Sequence, residues 1–180
     1  MGLFLLAVLV FALALALGLR VQPQASAGPV HEVGRRLRPL VGLVPLALLG
    51  VILLNNSLKA MAVILLGVFL GVPPILFIAV NGYILGMLAT GMVSNLGYGK
   101  VVASLAPHGV IEVPAVLVAT ALGLAVGREV FRWLTGRESR VRRRLSSGLK
   151  VYVAGVLPTL VVAALVEVFV TPLIVGLVAR

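Results

Sequence analysis

Two carboxylates, Glu112 and Glu167, stand in otherwise apolar sequence, and His108 lies four residues before the first of them. Positions four apart share a helix face, so His108 and Glu112 are placed to pair with each other or to hold one cation between them. Pro114 has no amide hydrogen and would leave the Val110 carbonyl without its helical partner, one turn from that pair. A carboxylate, an imidazole and a free carbonyl together have the chemistry of a cation site or a proton relay. His108, Glu112 and Glu167 are therefore the candidate metal ligands. The structural alternative is a Glu112 hydrogen-bonded to His108, to asparagine amides or to a partner helix. The expected partners of Glu167 are His108, Lys59 or the amides of Asn55, Asn56 and Asn81, which also sit in apolar runs. If these groups converge, the protein has a polar centre.

The elements that position these groups follow from composition. The chain has 180 residues, 61% of them hydrophobic and only 11% charged, and a mean hydropathy of +1.20, outside the range of soluble globular domains. Its apolar segments are too long and too unalternating for barrel strands, so helices must close the backbone hydrogen bonds inside lipid. The expected fold is all-α: a polytopic transmembrane helix bundle of about five to six membrane segments. The net charge of +10 collects in two short loops, which is orientation chemistry and implies no nucleic-acid partner.

Several chemistries are excluded at this stage. Cysteine is absent, which removes disulfides, thiolate metal sites and cysteine nucleophiles. Aspartate is also absent, leaving five glutamates, and no HExxH, GxSxG or Walker pattern occurs. An intramembrane hydrolase would have His108 and Glu112 as ligands, too few unless Glu167 joins them. No enzyme activity and no cofactor are expected.

Along the chain, the apolar pattern predicts segments near 3–19, 40–54, 58–72, 74–92, 108–127 and 151–178. Residues 1–27 end in Ala25-Ser26-Ala27, which resembles a signal cleavage site. The n-region carries no Lys or Arg, however, and Arg35, Arg36 and Arg38 would have to be exported, so a retained first span is favoured. NNSLK at 55–59 is expected to break the helical pattern, with a second break near Pro73-Pro74. Residues 91–107 read as a loop or re-entrant connector. The last segment exceeds the bilayer core and must tilt or kink, with Pro158 as the place.

Residues 128–150 form a basic loop in which Arg140, Arg142, Arg143 and Arg144 determine topology, and by the positive-inside rule it is cytoplasmic. If the Arg35–Arg38 loop is also inside, an even number of crossings separates the two, and the N-terminus and Arg180 lie outside. Anionic headgroups are a secondary ligand for these arginines. Gly67 with Gly71, Gly82 with Gly86, and Gly123 with Gly127 form small-xxx-small pairs, read as helix-packing surfaces.

In order, NNSLKAM, the turn in LGVPPILFIAVNGYILGML, PHGVIEVPA and the closing LVVAALVEVFVTP resemble the stage II sporulation protein M family of integral membrane proteins. The resemblance runs from about Leu53 to Pro172, and the PHGxxExPA block is its most specific part. The matching positions are Asn55, Asn56, Asn81, Gly82, Pro107, His108, Gly109, Glu112, Pro114, Glu167, Thr171 and Pro172; the resemblance assigns a role to none of them. It implies, from the namesake member in spore formers, a membrane anchor for a complex with two peptidoglycan-degrading enzymes.

The expected function is a non-enzymatic multi-pass scaffold or assembly subunit of the cell membrane. Its expected partners are the lipid bilayer and other membrane or envelope proteins, with a homo-oligomer left open. The alternative is a small transporter or channel using His108, Glu112 and Glu167.

Overall fold

Inside a bilayer no water satisfies a backbone amide, so each apolar run must close its hydrogen bonds within itself. The computed structural model describes residues 1–21 and 44–178, the side chains of Ser94, Asn95 and His108 aside, and among these residues the regular structure is entirely helical. The helices are α1 (Gly2–Leu19), α2 (Pro45–Leu66), α3 (Val72–Leu96), α4 (Tyr98–Leu134) and α5 (Val141–Val178). All 5 are long and apolar enough to cross a membrane. The Arg35–Arg38 loop and the Ala25–Ala27 motif lie outside the described residues.

The interruptions differ from those expected. NNSLK does not break the chain: the expected segments 40–54 and 58–72 are joined through it in α2 over residues 45–66, residues 40–43 lying outside the described set, because neither Asn nor Lys prevents a helix as Pro does. The break near Pro73 is present as the turn 67–71, where Leu70 and Gly71 take left-handed φ values of 57° and 77°. Pro73 and Pro74 then open α3, where a missing amide hydrogen leaves nothing unsatisfied. The expected connector 91–107 is helical on both sides of a single residue, Gly97, at φ 79° and ψ 160°. Helix α4 therefore starts at Tyr98 instead of near Pro107, and carries Pro107 and Pro114 in its interior. The basic segment 128–150 is also mostly helix, leaving only 135–140 as the link between α4 and α5.

Helix α5 accommodates its two prolines by widening. Turns of π-helix at Tyr152–Val156 and Val166–Val170 come just before Pro158 and Pro172. The Leu157 amide donates to the Tyr152 carbonyl and the Thr171 amide to the Val166 carbonyl, each five residues back. The larger ring moves carbonyls away from the pyrrolidine that would otherwise press on them. The Thr171 hydroxyl adds a second donor to the Val166 carbonyl at 3.2 Å.

Helix α4 is the centre of the bundle: 39% of its span is buried, against 17–28% for the others. Ala115 and Ala119 on one face meet Ala60 and Ile64 of α2 and Tyr152, Val156 and Leu160 of α5. Leu117 and Leu124 on another face meet Ala7 of α1 and Ile78 of α3. The outer faces are large and apolar, as in the α1 series Leu5, Leu9, Leu13 and Leu17, each at least 55% exposed. Small residues inward and leucines outward is the pattern of helices that pack in lipid.

Glycines set the helix spacing. Gly82 and Gly86 of α3 lie on the backbone of α1 at Phe11, Leu15 and Gly18, and Gly18 in turn lies on Tyr83 and Met87. Gly67 and Gly123 abut, as do Gly71 and Gly127, so the 67–71 turn is pressed onto α4. All three small-xxx-small pairs are thus packing contacts. Thr90 ties the same α1–α3 seam by donating to the Leu19 carbonyl at 3.3 Å and to Gly86 at 3.1 Å.

These contacts also orient the chain. Helices α1 and α3 advance together from Phe11 beside Gly82 to Leu19 beside Gly86, so they run parallel. The start of α3 lies beside Gly127, near the 135–140 link. The N-terminus therefore shares an end of the bundle with that link, contrary to the expected separation. Helices α2, α3 and α4 lie between Pro45 and the basic link, an odd number of crossings where an even one was expected. The even count rested on placing both arginine clusters on the inner side, a premise that three intervening helices do not fit. Because the chain lacks cysteine, single cysteines at positions 2 and 137 are expected to react with an impermeant maleimide from the same side of a sealed vesicle. Gly123→Val and Gly86→Val are each expected to destabilise the bundle by about 1–3 kcal/mol or more, measured as lost thermal stability in detergent. Gly155→Val, whose added carbon meets open space, should show little change.

Candidate functional site

The residues with chemical potential are distributed by the helices that carry them. Glu112 lies on α4 on the same side as Ala115 and Ala119, and is half-buried. Glu167 sits in the second π turn of α5, which packs against α4 and α2, with its Oε2 atom closed off from solvent. Neither carboxylate lacks a partner. His108 is on α4 one turn before Glu112, with a side chain outside the described set. Among the described residues, no group of 3 or more His, Cys, Asp or Glu is placed to hold a metal ion.

The asparagines do not join this region. Asn81 is exposed on α3 and donates to the Phe77 carbonyl of its own helix at 2.7 Å. Its neighbour Gly82 faces α1 instead. On α2, the Asn55 amide donates to Asn56 Oδ1 at 3.2 Å, with Asn55 and Lys59 both exposed. Their level is set by Ser57, whose hydroxyl lies 2.8 Å from Tyr152 OH. Glu167 is a further fifteen residues along α5, about 22 Å by helical rise. Lys59 and Asn55 are thus at a different level from Glu167, and with Asn81 they stay outside any centre formed by Glu112 and Glu167. Gly109 faces open space, Pro114 is exposed, and Pro107 is half-buried in α4.

Sequence reasoning missed the buried Ser57–Tyr152 pair. Tyr152 OH also donates to the Ser57 carbonyl at 3.1 Å, so the two side chains and one backbone group close a lock between α2 and α5. Only the tyrosine after a basic run hinted at it, and an interfacial ring is the usual reading of that signal.

The basic end was found by sequence but not its buried acid. Glu129 on α4 is 6% exposed, and its Oε2 accepts the Arg140 amide at 3.0 Å. Arg132 Nε donates to the Glu138 carbonyl at 3.1 Å, and Thr135 caps α4 through Phe131 and Arg132 carbonyls at 3.0 Å each. Glu129 thereby closes the α4–α5 hairpin and offsets the arginines gathered there. Arg140, Arg143 and Arg144 line a cleft of about 340 Å³ with Glu129 and Ser147. Arg142, Arg143 and Arg144 are exposed in the first turn of α5.

Helices of this length and surface, closed by a basic hairpin and packed through glycine, define a polytopic α-helical membrane protein. The sequence model of the family described as stage II sporulation protein M matches residues 1–172, and the chain belongs to that family. It is also 25% identical over 124 residues, 67% of this chain and 69% of the relative, to an uncharacterized protein of Methanocaldococcus jannaschii. No solved structure matches it.

Removing Glu129 should open the hairpin. Glu129→Ala is expected to lower the melting temperature in detergent at low salt, because the Arg140 amide loses its acceptor and the surrounding guanidiniums their counter-charge. The difference from the parent chain should narrow as salt rises and screens the arginines.

Proposed function

We propose that the protein is a non-enzymatic scaffold or assembly subunit of the cell membrane, gathering other membrane or envelope proteins around its bundle. The carrying observation is that Asn55, Lys59 and Asn81 stand apart from the two membrane carboxylates. Asn55 and Lys59 face outward from α2, Asn81 faces outward from α3, and Glu112 and Glu167 are half-buried. A transport pathway needs such groups to converge on one water-accessible passage. An assembly subunit needs them where other chains arrive. Family membership supports this reading, since the namesake is implied to anchor an envelope complex. The arginines of the 128–150 hairpin favour placing that end in the cytoplasm.

A small transporter centred on Glu112 and Glu167 is the second reading. Its support is the π turn carrying Glu167 and packing on α4, because such turns recur at functional sites. The two readings separate on purification from native membranes in mild detergent followed by reconstitution. The scaffold reading expects a stoichiometric protein partner and vesicles no leakier to protons or cations than empty controls. Robust flux abolished by Glu167→Gln would overturn it.

A further inference from the structure

Helix α2 carries one outward stripe, in which Val51, Leu54, Asn55, Leu58 and Lys59 are exposed at three- and four-residue spacing and Leu65 two turns beyond Leu58. The leucines suit lipid and the two polar residues do not. Asn55 is ten residues from Pro45 and eleven from Leu66, the midpoint of a helix of 22 residues. Lys59 is seven residues from Leu66, about 10 Å along the axis from the nearer end of the helix. Side chains leave a helix tilted toward its N-terminus, and the N-terminus of α2 is at the other end of the bundle. The lysine stem therefore starts away from the surface it could most easily reach by snorkelling.

No described carboxylate answers that ammonium. Glu112 is on the α4 side that meets Ala60 and Ile64, residues on the inner face of α2, and Glu167 is about 22 Å along α5 from the level of Ser57. Glu129 is bonded to the Arg140 amide, and Glu138 stands in the 135–140 link. The described residues of a second copy would present no exposed acid at this depth either. Two like charges would instead meet across a symmetric α2–α2 contact. Charge complementarity thus selects a different protein, one whose spanning helix carries an acid.

We propose that the outward stripe of α2 docks a transmembrane helix of another membrane protein, which brings an aspartate or glutamate carboxylate to Lys59 and a hydrogen-bonding group to Asn55. The inference rests on the scaffold reading and names the face that reading uses. An ammonium and a carboxylate meeting in lipid exclude helices that lack the acid, because either charge alone is strongly disfavoured there. Leu54, Leu58 and Leu65 supply the apolar contact on either side.

The test is photo-cross-linking in native membranes from a probe at Leu58, in the otherwise intact chain. The expected result is one trapped protein, joined through an apolar segment that contains Asp or Glu. Lys59→Met should reduce the yield roughly tenfold, whereas Lys59→Arg should retain most of it. Lys59→Glu combined with an acid-to-lysine change in the trapped segment should restore it. A trapped second copy, lipid alone, a segment without an acid, or an unchanged yield in Lys59→Met would each overturn the proposal. A stoichiometric partner that co-purifies without reacting at Leu58 would reject this face and leave the scaffold reading standing.

Discussion

Backbone-to-backbone approach at glycine is the constraint on which the bundle depends. In lipid, apolar burial gives no driving force between helices, because a leucine is as well solvated by acyl chains as by another helix. Association must come from close packing and from polar contacts, and both need small residues at the seams. Gly18, Gly82 and Gly86 bring α1 onto α3, while Gly67, Gly71, Gly123 and Gly127 press the 67–71 turn onto α4. Once these two seams are set, α4 has no freedom to be anything but the central helix. Its remaining face then receives α2 and α5, with Tyr152 and Ser57 locking that side.

The same constraint explains why irregular backbone appears where it does. Leu70 adopts a left-handed φ of 57°, a conformation disfavoured for a residue with a Cβ. It is held because Gly71 and Gly127 leave room for the turn to lie flat against α4. In α5 the two prolines cannot be moved to helix ends, since the helix continues on both sides. The widened turns before Pro158 and Pro172 keep the helix unbroken and set the orientation of Glu167 relative to α4.

Much of this was legible in sequence because lipid simplifies the code. Length and apolarity located the spans, and the spacing of Gly82 with Gly86 and of Gly123 with Gly127 marked the seams. Boundaries were less legible where polar residues lie inside a span. NNSLK looked like a break because Asn and Lys are disfavoured in lipid, yet that penalty falls on side chains and leaves the backbone free to stay helical. Residues 91–107 looked like a connector for a similar reason, although Gly97 alone interrupts the helix. Convergence was illegible: sequence shows that Asn81 and Glu167 are both polar residues in apolar runs, but not that one faces outward from α3 while the other packs on α4. The Ser57–Tyr152 contact, spanning 95 positions, has no local signature.

Two ways of keeping polar residues in a membrane coexist in this chain. Ser57, Tyr152 and Glu129 are buried and bonded to groups of the same chain, so each tightens the fold. Asn81 is exposed but satisfied by its own helix, which makes it tolerable and uninformative. Asn55 and Lys59 follow neither pattern: Asn55 bonds only to its neighbour, and both face away from the bundle at depth. Apolar residues at these two positions would serve lipid better, and nothing within the bundle requires the polar ones. A residue that is unfavourable in the isolated chain and unused by its fold finds its physical reason in something outside the chain.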